Sequence, residues 1–279
     1  MRRHLTIGAL LVSAIGLAAC DVDTKESDQK KLVGVVDETN LNEIMLNAAD
    51  PNEAVSFFKN SLQKDPERVD LQRYLALSLI RAKRAPEANV VFAQLDQANK
   101  LTDQDRVEYA GSLIRASEWK DARAQLNRIP PTVETFQRYR FEAMVADSQK
   151  QWKKADSFYE TASNLTTQPA GVLNNWGYSK LTRGDAKGAE RLFTEAITFD
   201  KTMFTAKNNL VLARASRQIY DLPVVPMTQI EQAELTYTMA LAAIKNGRTD
   251  RGRGLLEKAI ELHPRHFEAA VNSLKGLRG

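Results

Sequence analysis

The sequence predicts an all-α fold, an α-solenoid built from pairs of antiparallel helices, and two observations support that fold class. Apolar residues make up 43% of the chain and charged residues 27%, while its 13 glycines and 9 prolines are too few for a disordered chain or a turn-rich β architecture. The second observation is a pattern of small and large apolar residues that returns about every 34 residues along the chain.

Residues 1–19 are predicted to be a signal peptide and no part of that fold. Two arginines follow the first methionine, and the apolar run 5–19 is too short to span a bilayer, which needs about 20 residues. The run ends in Leu-Ala-Ala-Cys at 17–20, which resembles the lipobox of bacterial lipoproteins. This resemblance implies cleavage before Cys20, diacylation of its side chain and acylation of the new amino terminus.

A lipid on Cys20 would hold the rest of the chain at a membrane surface. Two or three acyl chains anchor stably, whereas one chain holds only marginally. Residues 20–34 are polar and lack periodicity, so we expect a flexible tether there. The alternative is an ordinary secretory signal with a coincidental cysteine. Because Cys20 is the only cysteine, no disulfide within the chain is expected under either interpretation.

The charge of the chain does not indicate a nucleic-acid partner. Removing residues 1–19 takes away two arginines and no acids, which lowers the formal net charge from +4 to +2. The sequence contains no block or stripe of lysines and arginines of the kind that follows a phosphate backbone.

The clearest repeat lies at 170–203. Its small residues would let two helices approach closely, its large residues would fill the space between neighbouring units, and a glycine would end the first helix in a left-handed conformation. The residues that carry this pattern are Trp176, Gly177, Gly184, Ala189, Phe193 and Ala196. Their spacing resembles that of the tetratricopeptide repeat, or TPR.

The same register continues in both directions and predicts a TPR solenoid over residues 35–218. Its units lie near 35–68, 69–102, 103–135, 136–169 and 170–203, followed by a half-unit at 204–218. A loop containing Pro223 and Pro226 is predicted at 219–232, since two prolines three residues apart do not fit a regular helix. We expect this loop either to cover neighbouring helices or to dock a partner. Residues 233–279 are predicted to form the last unit and a capping helix.

The sequence lacks the residue patterns of an enzyme, and none is predicted. His263 and His266 could suggest a metal site, but they lie in a predicted turn and no cysteine or acid cluster completes the ligand set. There is no phosphate-binding glycine loop and no nucleophile elbow. No cofactor and no metal are therefore expected, and the tryptophans and tyrosines at repeat positions are interpreted as core residues.

Binding has a candidate site, because the first helix of each TPR unit lines the concave face of the solenoid. The predicted groove residues are Arg73, Arg81, Arg115, Arg140, Asn174, Tyr178, Asn208, Tyr237 and Lys245. Asn174 and Asn208 stand one repeat apart, and a ladder of amides could bind the backbone of an extended peptide while arginines pair with its acids. The alternative is that these asparagines only bridge helices within the solenoid.

The whole layout resembles the TadD-type lipoproteins of the tight-adherence (Tad/Flp) pilus system. The resemblance rests on the lipobox, the repeats, Asn-Asn-Trp-Gly-Tyr at 174–178 and Leu-Pro-Val-Val-Pro-Met at 222–227. It implies a membrane-anchored periplasmic scaffold that binds protein partners, such as the secretin or assembly components, during pilus assembly or secretion. The alternative is a scaffold for outer-membrane protein insertion, peptidoglycan synthesis or polysaccharide export.

The resemblance favours the outer membrane. Asp21, which follows the cysteine, instead resembles an inner-membrane retention signal of enteric bacteria, but the outer membrane is the expected location.

Replacing the only cysteine tests the predicted anchor. Cys20→Ala is expected to release the chain from washed membranes, because no acyl chain can then be attached. Fractionation followed by immunoblotting measures this, and a variant that remains in the washed membranes would contradict the anchor.

Overall fold

A computed structural model describes residues 40–277, in which all regular secondary structure is helical. A helical segment at 40–47 precedes thirteen helices. The first seven are α1 (Pro51–Lys64), α2 (Val69–Arg81), α3 (Ala85–Gln97), α4 (Asp103–Arg115), α5 (Trp119–Leu126), α6 (Phe136–Ser148) and α7 (Trp152–Asn164). The others are α8 (Ala170–Thr182), α9 (Ala186–Phe199), α10 (Phe204–Ser216), α11 (Gln229–Lys245), α12 (Thr249–Leu262) and α13 (Glu268–Gly276). The predicted signal peptide, Cys20 and the tether lie outside the described residues.

The all-α solenoid is confirmed. Helices α2, α4, α6, α8 and α10 begin at 69, 103, 136, 170 and 204, which are the predicted first residues of their units. Short turns join the two helices of a unit, so that they pack as antiparallel neighbours. First helices of successive units also contact each other, from α2 through α4, α6 and α8 to α10. They therefore form one continuous face.

Small and large residues have the packing roles that their spacing predicts. Ala88, Ala122, Ala155 and Ala189 occupy the same position in four second helices, and each is fully buried. At Gly177 a Cβ atom would lie 2.6 Å from Cε1 of Phe193, which real contacts do not allow. This close approach requires glycine at that position of the unit.

Aromatic rings fill the space between units. The ring of Phe92 stacks on Tyr109 of the next unit at 5.3 Å between centroids, and Tyr159 stacks on Trp176 at 6.3 Å. Each such pair adds about 0.5–1.5 kcal/mol beyond the area it buries. The aromatic residues of the repeat therefore hold the units together as well as filling the core.

The turn after the first helix of a unit has a left-handed residue in every described repeat from 69 onward. A glycine was predicted there in the unit at 170–203, and Gly184 is confirmed as left-handed with φ of 88°, as is Gly247 of the last unit with φ of 74°. Four units place another residue at the equivalent position, with φ between 59° and 64°: Lys83, Ser117, Lys150 and Gln218. In these four units a residue with a Cβ atom adopts the conformation that favours glycine.

The loop between α10 and α11 takes the place of a second helix. Tyr220, Leu222 and Met227 pack against the cluster formed with α11 and α12, whereas Val225 packs against the preceding cluster. These contacts favour the interpretation that the loop covers neighbouring helices. Only Val224 among its apolar residues is fully exposed.

Helix α11 begins at Gln229, four residues before the predicted start of its unit. Thr228 caps it, since its hydroxyl accepts from the backbone N–H of Glu231 while the Glu231 carboxylate accepts from the backbone N–H of Thr228. This capping box satisfies two backbone donors that would otherwise lack partners. The loop is therefore shorter than the predicted 219–232.

Helix α5 ends early and leaves a cleft beside α6 and α7. It has 8 residues, and Pro130 and Pro131 follow soon after its last turn. Arg138 and Glu142 form an ion pair at 2.8 Å at the edge of this cleft, which has a volume of about 330 Å³. The shorter repeat seen in the sequence thus becomes a shortened second helix.

The C-terminal helix α13 covers the last unit, as predicted. Ala270 is fully buried, and Phe267, Leu274 and Leu277 pack against the cluster that α11 and α12 form. Within residues 40–277, no helix combines the length and the apolar character needed to cross a bilayer.

Glycine substitutions test the strained turns. Lys83→Gly and Lys150→Gly are each expected to raise the free energy of unfolding by about 1 kcal/mol, because a left-handed conformation disfavours a Cβ atom. Lys258→Gly, a matched change within helix α12, is expected to lower it by about the same amount. Urea unfolding followed by circular dichroism measures all three, and a loss of stability in the two turn variants would contradict this account.

Candidate functional site

A pocket of about 430 Å³ opens on the face formed by the first helices. Helices α6, α8 and α10 supply most of its lining, and Trp119 of α5 with Trp152 and Tyr159 of α7 completes it. The residues that line it are Trp119, Met144, Asp147, Ser148, Trp152, Tyr159, Asn174, Asn175, Tyr178, Ser179, Thr182, Thr205 and Asn209. Two predicted groove residues, Asn174 and Tyr178, are therefore in this pocket.

Side-chain amides link the helices across the pocket. Asn209 on α10 donates through Nδ2 to Oδ1 of Asn174 on α8 at 3.0 Å, and Asn175 lies 3.6 Å from the sulfur of Met144 on α6. Asn208 accepts a hydrogen bond of 2.9 Å from Thr238 on α11. The asparagines of neighbouring units thus meet, and they bridge helices within the solenoid.

Part of this amide set still has hydrogen-bonding capacity. Nδ2 of Asn174 and Oδ1 of Asn209 form no hydrogen bond with any residue in the described part of the chain. A peptide backbone offers one donor and one acceptor per residue, which such a pair of groups can match.

Aromatic side chains form the apolar part of the pocket. Tyr178 is 56% exposed although it lies on the first helix of a unit, and Trp119 and Trp152 are partly buried at the edge of the pocket. The sequence interpretation assigned both tryptophans to the core, so their place at the pocket was missed. Their equivalent position at the start of two second helices, next to the groove, could have indicated a place at the pocket.

Asp147 is the acidic group of the pocket, and it is tied to the fold. Its two carboxylate oxygens accept hydrogen bonds from Ser179 at 2.7 Å and from the Tyr159 hydroxyl at 2.9 Å. Burial raises the pKa of Asp147 above its ordinary value, although both hydrogen bonds act in the opposite direction. Burial also raises the pKa of the Tyr159 hydroxyl.

Asp156 on α7 lies in a contrasting environment. It accepts hydrogen bonds from the Trp176 indole at 2.6 Å and from Lys180 at 3.1 Å, and it pairs with Arg183 at 2.5 Å. Burial alone would raise the pKa of Asp156, but these three hydrogen bonds together outweigh it and lower the pKa. Asp156 therefore ties α7 to α8 behind the pocket.

Two of the predicted groove arginines are engaged within the solenoid. Arg73 forms an ion pair with Asp105 at 2.7 Å. Arg81 donates to the backbone carbonyl of Ala49 at 2.9 Å and also to that of Leu46, so that it caps the end of the first helical segment. Their guanidinium groups stabilise contacts between units, a role that the groove assignment did not anticipate.

The remaining predicted groove residues lie at both ends of the face. Arg115 and Arg140 are near each other on the N-terminal side of the pocket and form no ion pair with a described residue. Tyr237 is covered by α13, because its hydroxyl lies 3.2 Å from Ser273 and its ring packs on Phe267. Lys245 is exposed at the end of α11, away from the pocket lining.

His263 lies between α12 and α13. The His263 ring packs on Phe267 at 4.8 Å and accepts from the backbone N–H of Arg265. From 40 to 277, no group of three His, Cys, Asp or Glu side chains is placed so that it could hold a metal ion.

The two aspartates give a paired prediction for stability. Asp156→Asn is expected to lower the free energy of unfolding by about 1–3 kcal/mol, since three donors lose a charged acceptor. Asp147→Asn is expected to be neutral or stabilising at neutral pH, because burial opposes the charge of Asp147 and an amide can still bond Ser179 and Tyr159. Urea unfolding of both variants beside the wild type measures these differences.

The pH dependence of the two differences has opposite signs. A pKa that folding lowers contributes stability that is present above the unfolded value of about 3.9. The loss of unfolding free energy caused by Asp156→Asn should therefore disappear as the pH falls through the folded pKa of Asp156. A pKa that folding raises contributes stability that is fully present below the unfolded value of about 3.9. The free energy of unfolding of the wild type should therefore rise relative to that of Asp147→Asn as the pH falls. Parallel pH profiles for the two variants would contradict the assigned environments.

Comparison with known proteins supports the fold. No family model matches the chain. Tetratricopeptide repeat protein 21B of Mus musculus is 30% identical over 125 residues, which cover 42% of this chain and 10% of that protein. The chain therefore spans only a small part of this relative.

Two solved structures share the architecture. A chain of the APC/C hetero-tetramer Cut9–Hcn1 has a TM-score of 0.61 at 15% identity, with 85% of this chain and 48% of that chain covered, so this chain spans about half of its length. A tetratricopeptide repeat protein from Parabacteroides merdae has a TM-score of 0.55 at 12% identity, with 86% and 97% covered. The described part of this chain therefore has the fold of a tetratricopeptide-repeat solenoid.

Proposed function

We propose that this chain is a lipid-anchored scaffold, facing the periplasm from the outer membrane, that binds an extended segment of a protein partner during assembly of a Tad/Flp-type pilus or its secretion apparatus. The observation that carries the binding function is the pocket between α6, α8 and α10, where exposed Tyr178 lies beside amides with free hydrogen-bonding groups. Aromatic side chains of this kind often dominate binding energy at protein interfaces.

The dimensions of the pocket suit an extended segment. Neighbouring packed helices lie about 8–10 Å apart, so crossing from α6 to α10 covers about 16–20 Å. An extended chain advances about 3.3 Å per residue, and five or six residues, roughly, would cross the three helices. The free amide groups of Asn174 and Asn209 would bind the backbone of this segment, and the aromatic wall would take an apolar side chain.

The place of this function in the cell envelope is supported by the sequence. The lipobox at 17–20 and the polar tether imply attachment to a membrane surface. The TadD-type resemblance rests partly on the stretch 174–178, and three of its five residues, Asn174, Asn175 and Tyr178, line the pocket. The Cut9–Hcn1 structure is a precedent for this fold in a hetero-tetramer.

Truncating the pocket tests the proposal. Asn174→Ala combined with Tyr178→Ala is expected to reduce recovery of the partner at least about tenfold, because loss of one interfacial aromatic anchor commonly costs 2 kcal/mol or more. Phe199→Ala is the matched control, since Phe199 is 54% exposed on α9 and lies outside the pocket. Crosslinking pull-down from native membranes with quantitative mass spectrometry measures the recovery.

The outcomes of this pull-down separate the parts of the proposal. A secretin or pilus-assembly protein lost only from the double variant would support it. Equal recovery of the partner with the double variant and with the wild type would show that the pocket is not the binding site. Recovery of a partner from outer-membrane protein insertion, peptidoglycan synthesis or polysaccharide export would assign the scaffold to that process instead of pilus assembly.

A further inference from the structure

Two cationic side chains on the groove face form no ion pair within residues 40–277. Arg115 at the end of α4 and Arg140 on α6 form neither an ion pair nor a hydrogen bond with any residue from 40 to 277. Nε of Arg140 is buried without a hydrogen-bond partner. Arg73 and Arg81 on the same face are, by contrast, bonded to Asp105 and to backbone carbonyls.

Two glycines lie beside these guanidinium groups, and Gly111 leaves room for the Phe141 ring. A Cβ atom at Gly111 would lie 2.5 Å from Cζ of Phe141 and 3.2 Å from an Nη atom of Arg115. A Cβ atom at Gly171 would lie 4.0 Å from an Nη atom of Arg140. The guanidinium carbon of Arg140 lies 4.8 Å from the centre of the Phe141 ring. The buried Phe141 ring thus lies against Gly111 and the Arg140 guanidinium group, next to Arg115.

The positive charges of Arg115 and Arg140 lie close enough to affect each other. Burial lowers the pKa of Arg140, and the neighbouring positive charge of Arg115 lowers it further. The nearby acid is Glu108 on α4, which acts in the opposite direction but forms no ion pair with either arginine among the described residues. The two arginines therefore place positive charge without an ion pair among the described residues on this part of the groove, which suits a carboxylate of the partner.

We propose that Arg115 and Arg140 form an anion subsite of the groove, which binds the carboxylate of an aspartate or glutamate in the partner segment. The guanidinium group offers paired N–H donors that suit a carboxylate. This inference rests on the proposed function, because it names the chemistry of the segment that the neighbouring pocket would bind.

The distance between the subsite and the pocket sets the spacing in the partner. Arg140 lies on α6 and Tyr178 of the pocket lies on α8, so a segment that crosses the helices passes between them over one helix spacing, about 8–10 Å. An extended chain advances about 3.3 Å per residue. The partner should therefore carry an acidic residue two or three positions from an apolar one.

Selection from random peptides tests this spacing without knowledge of the partner. A displayed library of random dodecapeptides is selected on the detergent-solubilised full chain. Selected peptides are expected to share an aspartate or glutamate two or three positions from an apolar residue. The best peptide should bind at least about tenfold more tightly than its asparagine or glutamine isostere in fluorescence polarisation, and added salt should weaken it.

Three variants test the subsite itself. Arg115→Gln and Arg140→Gln remove one charge each, and Gly171→Glu places an internal carboxylate next to Arg140, in the first turn of α8, where helices accept acids. Each variant should weaken binding of the acidic peptide about tenfold and leave the affinity for its amide isostere unchanged. Arg123→Gln, which lies in the cleft beside α5, is the matched control. Circular dichroism confirms folding of every variant.

The failures of the two proposals can be distinguished. In one outcome, peptides lose binding to Asn174→Ala and Tyr178→Ala but bind the three subsite variants as they bind the wild type. This result would overturn the subsite while still supporting the groove as the binding surface. Peptides insensitive to all of these variants, or no selected peptide at all, would overturn both. Tighter binding of a single-stranded oligonucleotide, lost in the same arginine variants, would also overturn the carboxylate assignment.

Discussion

The close approach of paired helices at small buried residues is the constraint on which the rest of the structure depends. Ala155 and Ala189 have no exposed surface, and Phe193 lies so near Gly177 that a Cβ atom would not fit. Since a buried side chain cannot be enlarged without shifting its neighbours, the distance between helices is nearly fixed in each unit. Aromatic stacks such as Tyr159 on Trp176 then set one unit against the next.

The groove follows from that fixed spacing. Because successive first helices contact each other, side chains about one repeat apart in sequence become neighbours, as Asn174 and Asn209 do at 3.0 Å. The same spacing places Arg140 near Arg115 of the preceding unit. The fold thus turns a repeated sequence into a continuous surface on which each unit can carry a different chemical group.

The repeat register, most helix starts and the buried alanines could be predicted from the sequence, because close packing leaves a periodic signature. The partners of Arg73 and Arg81 could not, since the same side chain at a groove position can face a ligand or reach the next unit. The left-handed backbone conformation of Lys83 and Lys150 could not be predicted either, because in a sequence only glycine indicates that conformation. Helix α5 ends early at Leu126 and so opens the cleft near α6. In the sequence, only the prolines that follow indicate this early end.

Site-specific photo-crosslinking in native membranes tests the central claim, that the face of first helices is the binding surface. A photoreactive phenylalanine analogue is placed at Tyr178 in one variant and at Phe199, on a second helix, in another. The account predicts a discrete adduct with one partner from position 178 and none from position 199. An adduct from position 199 with none from position 178 would contradict it.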